Sequence, residues 1–241
     1  MPGAPTAAIL TIGNELVSGD VANTNGTWLA QRLERLGFSV RLIAAIPDAL
    51  DQIAEAVRAE SAAAEVLVVT GGLGGTPDDI TREALAVAFG VEQEEVPELA
   101  EELRTRFISD PEYAARWAQL PAGSRPLENP LGGAPGFAIE NVYVLPGLPA
   151  EMEALFESIE EELRVAAPIG SWRRRYRTSE SRIVTILHAM GDRHPGVLVG
   201  SYPSFNAGGP EVEIVVKSND AEALAAAVEW LSRELEAATR E

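Results

Sequence analysis

The sequence predicts an α/β protein: a mostly parallel sheet between helical layers over residues 1–168, followed by a smaller α+β domain over 169–241. Three observations carry this. Apolar, β-branched strands alternate three times with helix-period segments between Ala7 and Phe89, and such alternation argues for parallel strands joined by right-handed crossovers. The third strand, Val66 to Val69, is apolar at every position, as a strand buried on both faces must be. Past Ala167-Pro168-Ile169-Gly170 the order changes to strand, helix, strand, strand, helix.

Ala7 to Ile12 reads as the first strand and ends in Gly13-Asn14-Glu15-Leu16. Trp28, Leu29, Leu33 and Leu36 recur at helical spacing, so Thr27 to Leu36 is a helix with Gly37 as its C-cap. Ser39 to Ile46 is the second strand, and the alanine-rich Leu50 to Ala62 the second helix, with Asp48 as its cap. The third strand, 65–70, feeds a helix from Asp78 to Phe89, with Thr76 at its N-cap and Pro77 at the first helical position. Residues 97–119 read as a pair of acidic helices interrupted at Asp110-Pro111. Phe137 to Ile139 and Val142 to Leu145 alternate about Glu140-Asn141 as a hairpin, and Pro149 to Val165 is a helix. In the smaller domain Trp172 to Thr178, Val197 to Tyr202 and Val212 to Lys217 are strands, the last two joined by an Asn206-Ala-Gly-Gly-Pro210 turn. Glu180 to Met190 and Ala221 to Ala237 are its helices.

Composition removes several classes of function. There is no cysteine, which excludes disulfides, thiolate metal sites and cysteine nucleophiles. The net charge is −18, with Lys217 as the single lysine among 19 basic residues; such a field repels nucleic-acid backbones and anionic membranes, so neither is an expected partner. No apolar run approaches the roughly 20 residues that cross a bilayer, and the N-terminus lacks a basic region followed by an apolar one, so a cytoplasmic location is expected. Arg173-Arg174-Arg175 reads as alternating exposure on an edge strand, and His188 and His194 as ordinary helix-face and loop residues.

The chemistry concentrates in Thr70-Gly-Gly-Leu-Gly-Gly-Thr-Pro-Asp-Asp-Ile-Thr81. Gly71, Gly72, Gly74 and Gly75 let the main chain approach a ligand without Cβ obstruction. Free N–H donors at a helix start, beside Asp78 and Asp79, suit a phosphate or pyrophosphate with a divalent cation. The competing reading is a capping box between Thr76 and Asp79, which accounts for those two residues but not for four glycines and Asp78. The stretch is neither a Walker A loop, lacking Gly-Lys-Ser/Thr, nor the GxGxxG dinucleotide fingerprint. Ligands of parallel sheets gather outside the carboxyl ends of the strands, where Glu15 and the glycine loop both fall.

Several blocks also resemble one family in order. Ile12-Gly13-Asn14-Glu15-Leu16 with Gly19 and Asn23-Thr24-Asn25 resembles its opening "GxEL…G…NTN" block, and Thr70 to Thr81 its "TGGLGPTxDDxT" block. Asn129 to Phe137 and Leu145-Pro-Gly-Leu-Pro-Ala-Glu-Met152 resemble its last two. The family is the N-terminal part of the competence/damage-inducible protein A (CinA) proteins, whose first domain is molybdopterin-binding-like, of the MoaB/MogA type. Ser201-Tyr-Pro-Ser204 followed by Val212 to Lys217 resembles the KH-like domain after it. An RNA-binding KH domain needs a GXXG loop amid positive charge, and neither stands here. Gly75 replaces the proline usual in the loop, so Thr76-Pro77, Asp79 and Thr81 also resemble the "TPRDVT" version of molybdopterin adenylyltransferases. The chain stops after the KH-like piece, so the amidase activity of full-length CinA proteins is not expected.

The resemblance implies a metal-dependent pyrophosphatase acting on ADP-ribose or a related nucleoside diphosphate sugar. Asp78 and Asp79 would ligate Mg²⁺, Mn²⁺ or Co²⁺, with a monovalent cation as a further candidate, and Glu15, the third catalytic candidate, would either complete the site or act as general base. Gly13, Asn23, Asn25, Gly71, Gly72, Gly74, Gly75, Thr76, Thr81 and Gly147 would hold the substrate. Asn23 and Asn25 read equally as turn or cap residues for the helix that follows, and the Gly147 turn as structural. Two alternatives stay open: a molybdopterin-binding or adenylylating protein, whose ligand is a pterin phosphate, and a non-catalytic nucleotide-binding module. A homodimer or other homo-oligomer is the implied assembly.

Overall fold

The computed structural model describes residues 4–164 and 168–239. They fall into two compact units: 5–34 with 39–164, and 168–239 with residues 4 and 35–38.

The first unit is built on a six-stranded sheet. Strands β1 (Thr6–Ile12), β2 (Ser39–Ile46) and β3 (Val66–Thr70) alternate with short helix α1 (Asn14–Ser18) and helices α2 (Thr24–Arg35) and α3 (Leu50–Ala63). Helix α4 (Thr81–Phe89) follows, then β4 (Gln93–Glu95), α5 (Pro97–Arg106), α6 (Pro111–Ala115) and β5 (Gln119–Pro121). Strands β6 (Arg125–Leu127), β7 (Gly136–Ile139) and β8 (Val142–Leu145) precede helix α7 (Pro149–Leu163). The sheet order is β2-β1-β3-β8-β7-β6. The first four strands run parallel, and β7 runs antiparallel to both its neighbours, β8 and β6. Every residue of β3 is buried, because both sheet faces are covered. On one face Leu10 and Leu67 pack with Ile53 and Val57 of α3 and Leu85 of α4. The alternate residues Ile9 and Val68 are equally buried and so face the opposite layer. Helices α2 and α7 meet through Trp28 and Phe156, edge to face at 5.6 Å.

Four local expectations are corrected. Helix α2 begins at Thr24 rather than Thr27, because the Asn23 side chain accepts the Gly26 N–H at 2.9 Å and caps it early. Residues 14–18, which the sequence leaves as a short loop between the first strand and the first helix, form a helical turn. Asp48 does not cap α3, whose N-cap is Ala49 without a side-chain bond; Asp48 instead accepts the Asn14 N–H at 2.8 Å. Helix α4 starts at Thr81, not Asp78, since Thr76–Asp79 closes on itself as a separate turn. Strands β4, β5 and β6, three residues each, carry no alternation that would reveal them. The expected helical residue Val165 and the junction residue Ala167 lie outside the described residues.

In the second unit β9 (Gly170–Tyr176), β10 (Leu198–Asn206) and β11 (Gly209–Ser218) form an antiparallel sheet of order β10-β11-β9. Helices α8 (Glu180–Arg193) and α9 (Ala221–Thr239) bury Ile183, Met190, Leu231 and Leu235 against Tyr176, Val212, Ile214 and Val216. The three arginines of β9 are met by acids: Arg173 and Arg175 by Glu213, Arg174 by Glu236. No described helix is long and apolar enough to cross a membrane.

Candidate functional site

A cleft of about 410 Å³ lies in the first unit, at the carboxyl ends of its parallel strands. The chain crosses from β1 to β2 on one side and then back past β1 to β3 on the other, and such a reversal opens a crevice at the strand ends. The glycine loop after β3 forms one wall. Gly71 has φ +106° and a Cβ there would collide with the Ile12 carbonyl; Gly72 has φ +66° and a Cβ would strike the Thr81 hydroxyl. The turn after β8 packs directly on this loop: the Gly71 N–H donates to Leu145 O at 3.1 Å, and a Cβ on Gly147 would stand 3.2 Å from the Gly71 Cα. The N–H groups of Gly72, Leu73, Gly74 and Gly75 donate to nothing among the described residues.

The start of α2 also lines the cleft. Asn23 donates to the Thr11 hydroxyl at 2.8 Å, and Asn25 donates to Gly147 O at 2.8 Å and the Thr70 hydroxyl at 3.4 Å. Thr11 is the next-to-last residue of β1 and Thr70 the last of β3, both 1% exposed, so each asparagine is pinned near the end of a strand. Asn23 thus serves chiefly as cap and brace, while Asn25 lines the cleft and its side-chain oxygen accepts from nothing among the described residues.

Glu15, Asp48, Asp78 and Asp79 supply the acidity of the cleft. Asp79 Oδ2 accepts both the N–H of Thr76 at 2.8 Å and its hydroxyl at 2.5 Å. The same hydroxyl, followed by the backbone of Asp78 itself, holds the fully exposed Asp78 carboxyl below its usual range. Asp48 is pushed the other way: burial raises it, the Asn14 N–H opposes, and the charges of Glu15, Asp78 and Asp79 raise it further. Among the described residues no three histidine, aspartate or glutamate side chains cluster tightly enough to enclose a metal ion by themselves.

The structure therefore gathers Gly13, Glu15, Asn23, Asn25, Gly71, Gly72, Gly74, Asp78, Asp79 and Gly147 around one cleft. It does not bring Gly75, Thr76 or Thr81 there. Gly75 and Thr76 open onto a neighbouring hollow beside Arg82 and Trp117, with Tyr113 packed against Gly75. Thr81 is fully buried and donates to Gly71 O at 2.9 Å from behind the loop. Sequence reasoning missed Asp48, Thr11, Thr70 and Arg82. Asp48 was detectable as the acid just past β2, as Glu15 is past β1; Arg82 gave no signal beyond being a charged residue on a buried helix start.

Comparison with known proteins bears on the family of each unit. The family model described as "Probable molybdopterin binding domain" matches residues 8–164, and one described as "FAD synthase, middle domain" matches 174–240. The second unit thus matches a family of a different description from the KH-like one expected. A protein of Pyrobaculum calidifontis is 41% identical over 212 residues, covering 83% of this chain and 81% of its own length. A CinA-like protein of Parasynechococcus marenigrum is 41% identical over 162 residues, 64% of this chain but 39% of its own length. The crystal structure of the protein CinA from Thermoplasma acidophilum, a protein of unknown function, superposes with a TM-score of 0.63 at 34% identity, covering 66% of this chain and 98% of that one. The chain belongs to the family of the probable molybdopterin binding domain, with CinA-like proteins among its relatives.

Proposed function

We propose that the first unit hydrolyses the pyrophosphate bond of ADP-ribose or a related nucleoside diphosphate sugar, with Mg²⁺, Mn²⁺ or Co²⁺ held at Asp78 and Asp79. One observation carries this: unpartnered N–H donors and several carboxylates share a single cleft. An anion alone would be repelled by the acids, and a cation alone would leave the donors unused. A metal-chelated diphosphate satisfies both. The donor set fits such a cation, since hard oxygens from one or two carboxylates, completed by phosphate and water, are its ordinary environment. When bound, the cation neutralises phosphate oxygens and acidifies a coordinated water.

The chain's own groups do the rest. The N–H groups of Gly72, Leu73 and Gly74 hold non-bridging phosphate oxygens, and the free oxygen of Asn25 accepts from a ribose hydroxyl. Glu15 takes a proton from the attacking water as its oxygen bonds to one phosphorus; the bridging P–O bond breaks and that oxygen leaves with the other phosphate, giving AMP and ribose 5-phosphate. Asp48, with its raised affinity for protons, is a second carrier at the same edge. A screen of ADP-ribose against the three cations, with products separated chromatographically, tests this; no AMP under any condition removes the hydrolytic reading.

Family membership favours a second reading, in which the cleft binds molybdopterin and transfers adenylate to it. ATP, Mg²⁺ and molybdopterin would then yield an adenylylated pterin and pyrophosphate, with ADP-ribose inert. Tight nucleotide binding without turnover on either substrate would instead mark a non-catalytic nucleotide-binding module.

A further inference from the structure

Arg82, the second residue of α4, is 5% exposed, and no carboxylate reaches ion-pair distance of it among the described residues. Burial lowers its guanidinium to about 10, so it is still a cation at neutral pH. A buried charge with no close ion pair is costly even with Glu83 and Asp79 acting on it through space, and its Nε has no hydrogen-bond partner among the described residues. What the guanidinium does hold is the glycine loop: it donates to the carbonyls of Leu73 and of Gly74, the latter at 3.4 Å.

Thr81 holds the two preceding carbonyls. Its hydroxyl donates to Gly71 O at 2.9 Å and its N–H to Gly72 O at 3.2 Å. Four consecutive carbonyls, 71 to 74, therefore turn toward the start of α4. In a planar trans peptide the N–H points opposite to its own C=O, and no peptide here is cis. The N–H groups of Gly72, Leu73, Gly74 and Gly75 must then turn away from α4, and these are the four donors left without partners.

We propose that Arg82 is a positioning residue that fixes the peptides of the second half of this loop so that the Gly74 N–H is held for an anion in the cleft, a role that rests on the phosphate reading of the cleft. Thr81 orients the first two peptides and Arg82 the last two. Without Arg82, the peptides around Gly74 and Gly75 lose their restraint, because glycine has no side-chain preference for either orientation. A flipped peptide would present a carbonyl oxygen to phosphate. The guanidinium also puts a positive charge behind the donors, in a chain whose net charge is −18.

The test is titration calorimetry of the full chain with inorganic pyrophosphate and Mg²⁺, comparing wild type, Arg82→Met and Arg82→Lys, with ¹H–¹⁵N spectra of each. Arg82→Met is expected to weaken pyrophosphate at least about tenfold, the loss of two charge-assisted bonds that order the donors. Arg82→Lys, retaining the charge and a single donor, restores part of that loss. The Gly74 and Gly75 amide signals should shift in Arg82→Met, while that of Gly72, governed by Thr81, stays in place. Wild-type affinity and unmoved Gly74 and Gly75 signals in Arg82→Met overturn the proposal. If wild type binds no pyrophosphate, the reading of the cleft fails and takes this inference with it. If Arg82→Met does not fold, Arg82→Lys decides: intermediate affinity with a displaced Gly75 signal supports the role, and wild-type behaviour in both overturns it.

Discussion

Asp79→Asn separates two roles that one side chain can have. Asp79 Oδ2 accepts the N–H of Thr76 at 2.8 Å and its hydroxyl at 2.5 Å, and the Asp79 N–H returns to Thr76 O at 3.0 Å. An asparagine fills the same space, and its amide oxygen can accept both Thr76 donors; the negative charge alone is lost. Bonds to a charged acceptor are worth more than neutral ones by about 1 kcal/mol. That corresponds to about 2–4 °C in Tm for a unit of this size. Loss of a carboxylate that holds the catalytic cation should lower kcat/KM by about a hundredfold or more, or ~2.7 kcal/mol of transition-state stabilisation. The assay is AMP release from ADP-ribose across a Mn²⁺ titration, with thermal unfolding of the same preparations. A Tm drop beyond about 10 °C, with activity falling only as the folded fraction falls, would show that Asp79 is a turn residue. Unchanged kcat/KM would remove it from the chemistry altogether.

Two further outcomes follow from the geometry. The raised Asp48 carboxyl means the native state holds that proton more tightly than the unfolded chain, so its ionised form costs stability as pH climbs above the ordinary value of 3.8. Asp48→Asn should therefore raise Tm at pH 7 and lose that gain below pH 3.8, where both states are protonated; an equal gain at both pH values refutes the assignment. Gly71→Ala combines φ +106° with a collision against the Ile12 carbonyl, whereas Gly123→Ala at φ +81° meets open space. Backbone strain of this kind costs about 1–3 kcal/mol, and the collision adds to it at position 71 only. Calorimetric melting should show the Gly71 variant well below the Gly123 variant, and equal losses would mean that the Gly71 loop is free to move away from β1.

Much of the first unit was legible because its code is local. Val66 to Val69 could only be a strand buried on both faces, and the spacing of Leu29 and Leu33 fixed the inner face of α2. The four loop glycines marked a place of close backbone approach, and that is where Gly71 meets Ile12. The start of α4 was not legible. Thr76-Pro77 carries a strong helix-start signal, yet the Thr81 N–H is taken by Gly72 O across the loop, a tertiary bond that local pattern does not contain. Asp48 likewise reads as a cap until its partner proves to be Asn14, 34 residues earlier.

Sequence alone determined the alternation of strands and helices, the glycine positions and the acidic, cysteine-free character, since each depends on near neighbours or simple counts. Tertiary structure decided which chemical groups meet. Because β2, β1, β3 and β8 lie side by side and run the same way, the residues just past their carboxyl ends are carried to one edge of the sheet: Asp48, Glu15, Gly71 and Gly147. Strand order is a choice among packings that burial favours almost equally along the chain. Only the completed sheet places those four segments around a common cleft, with Arg82 behind its loop.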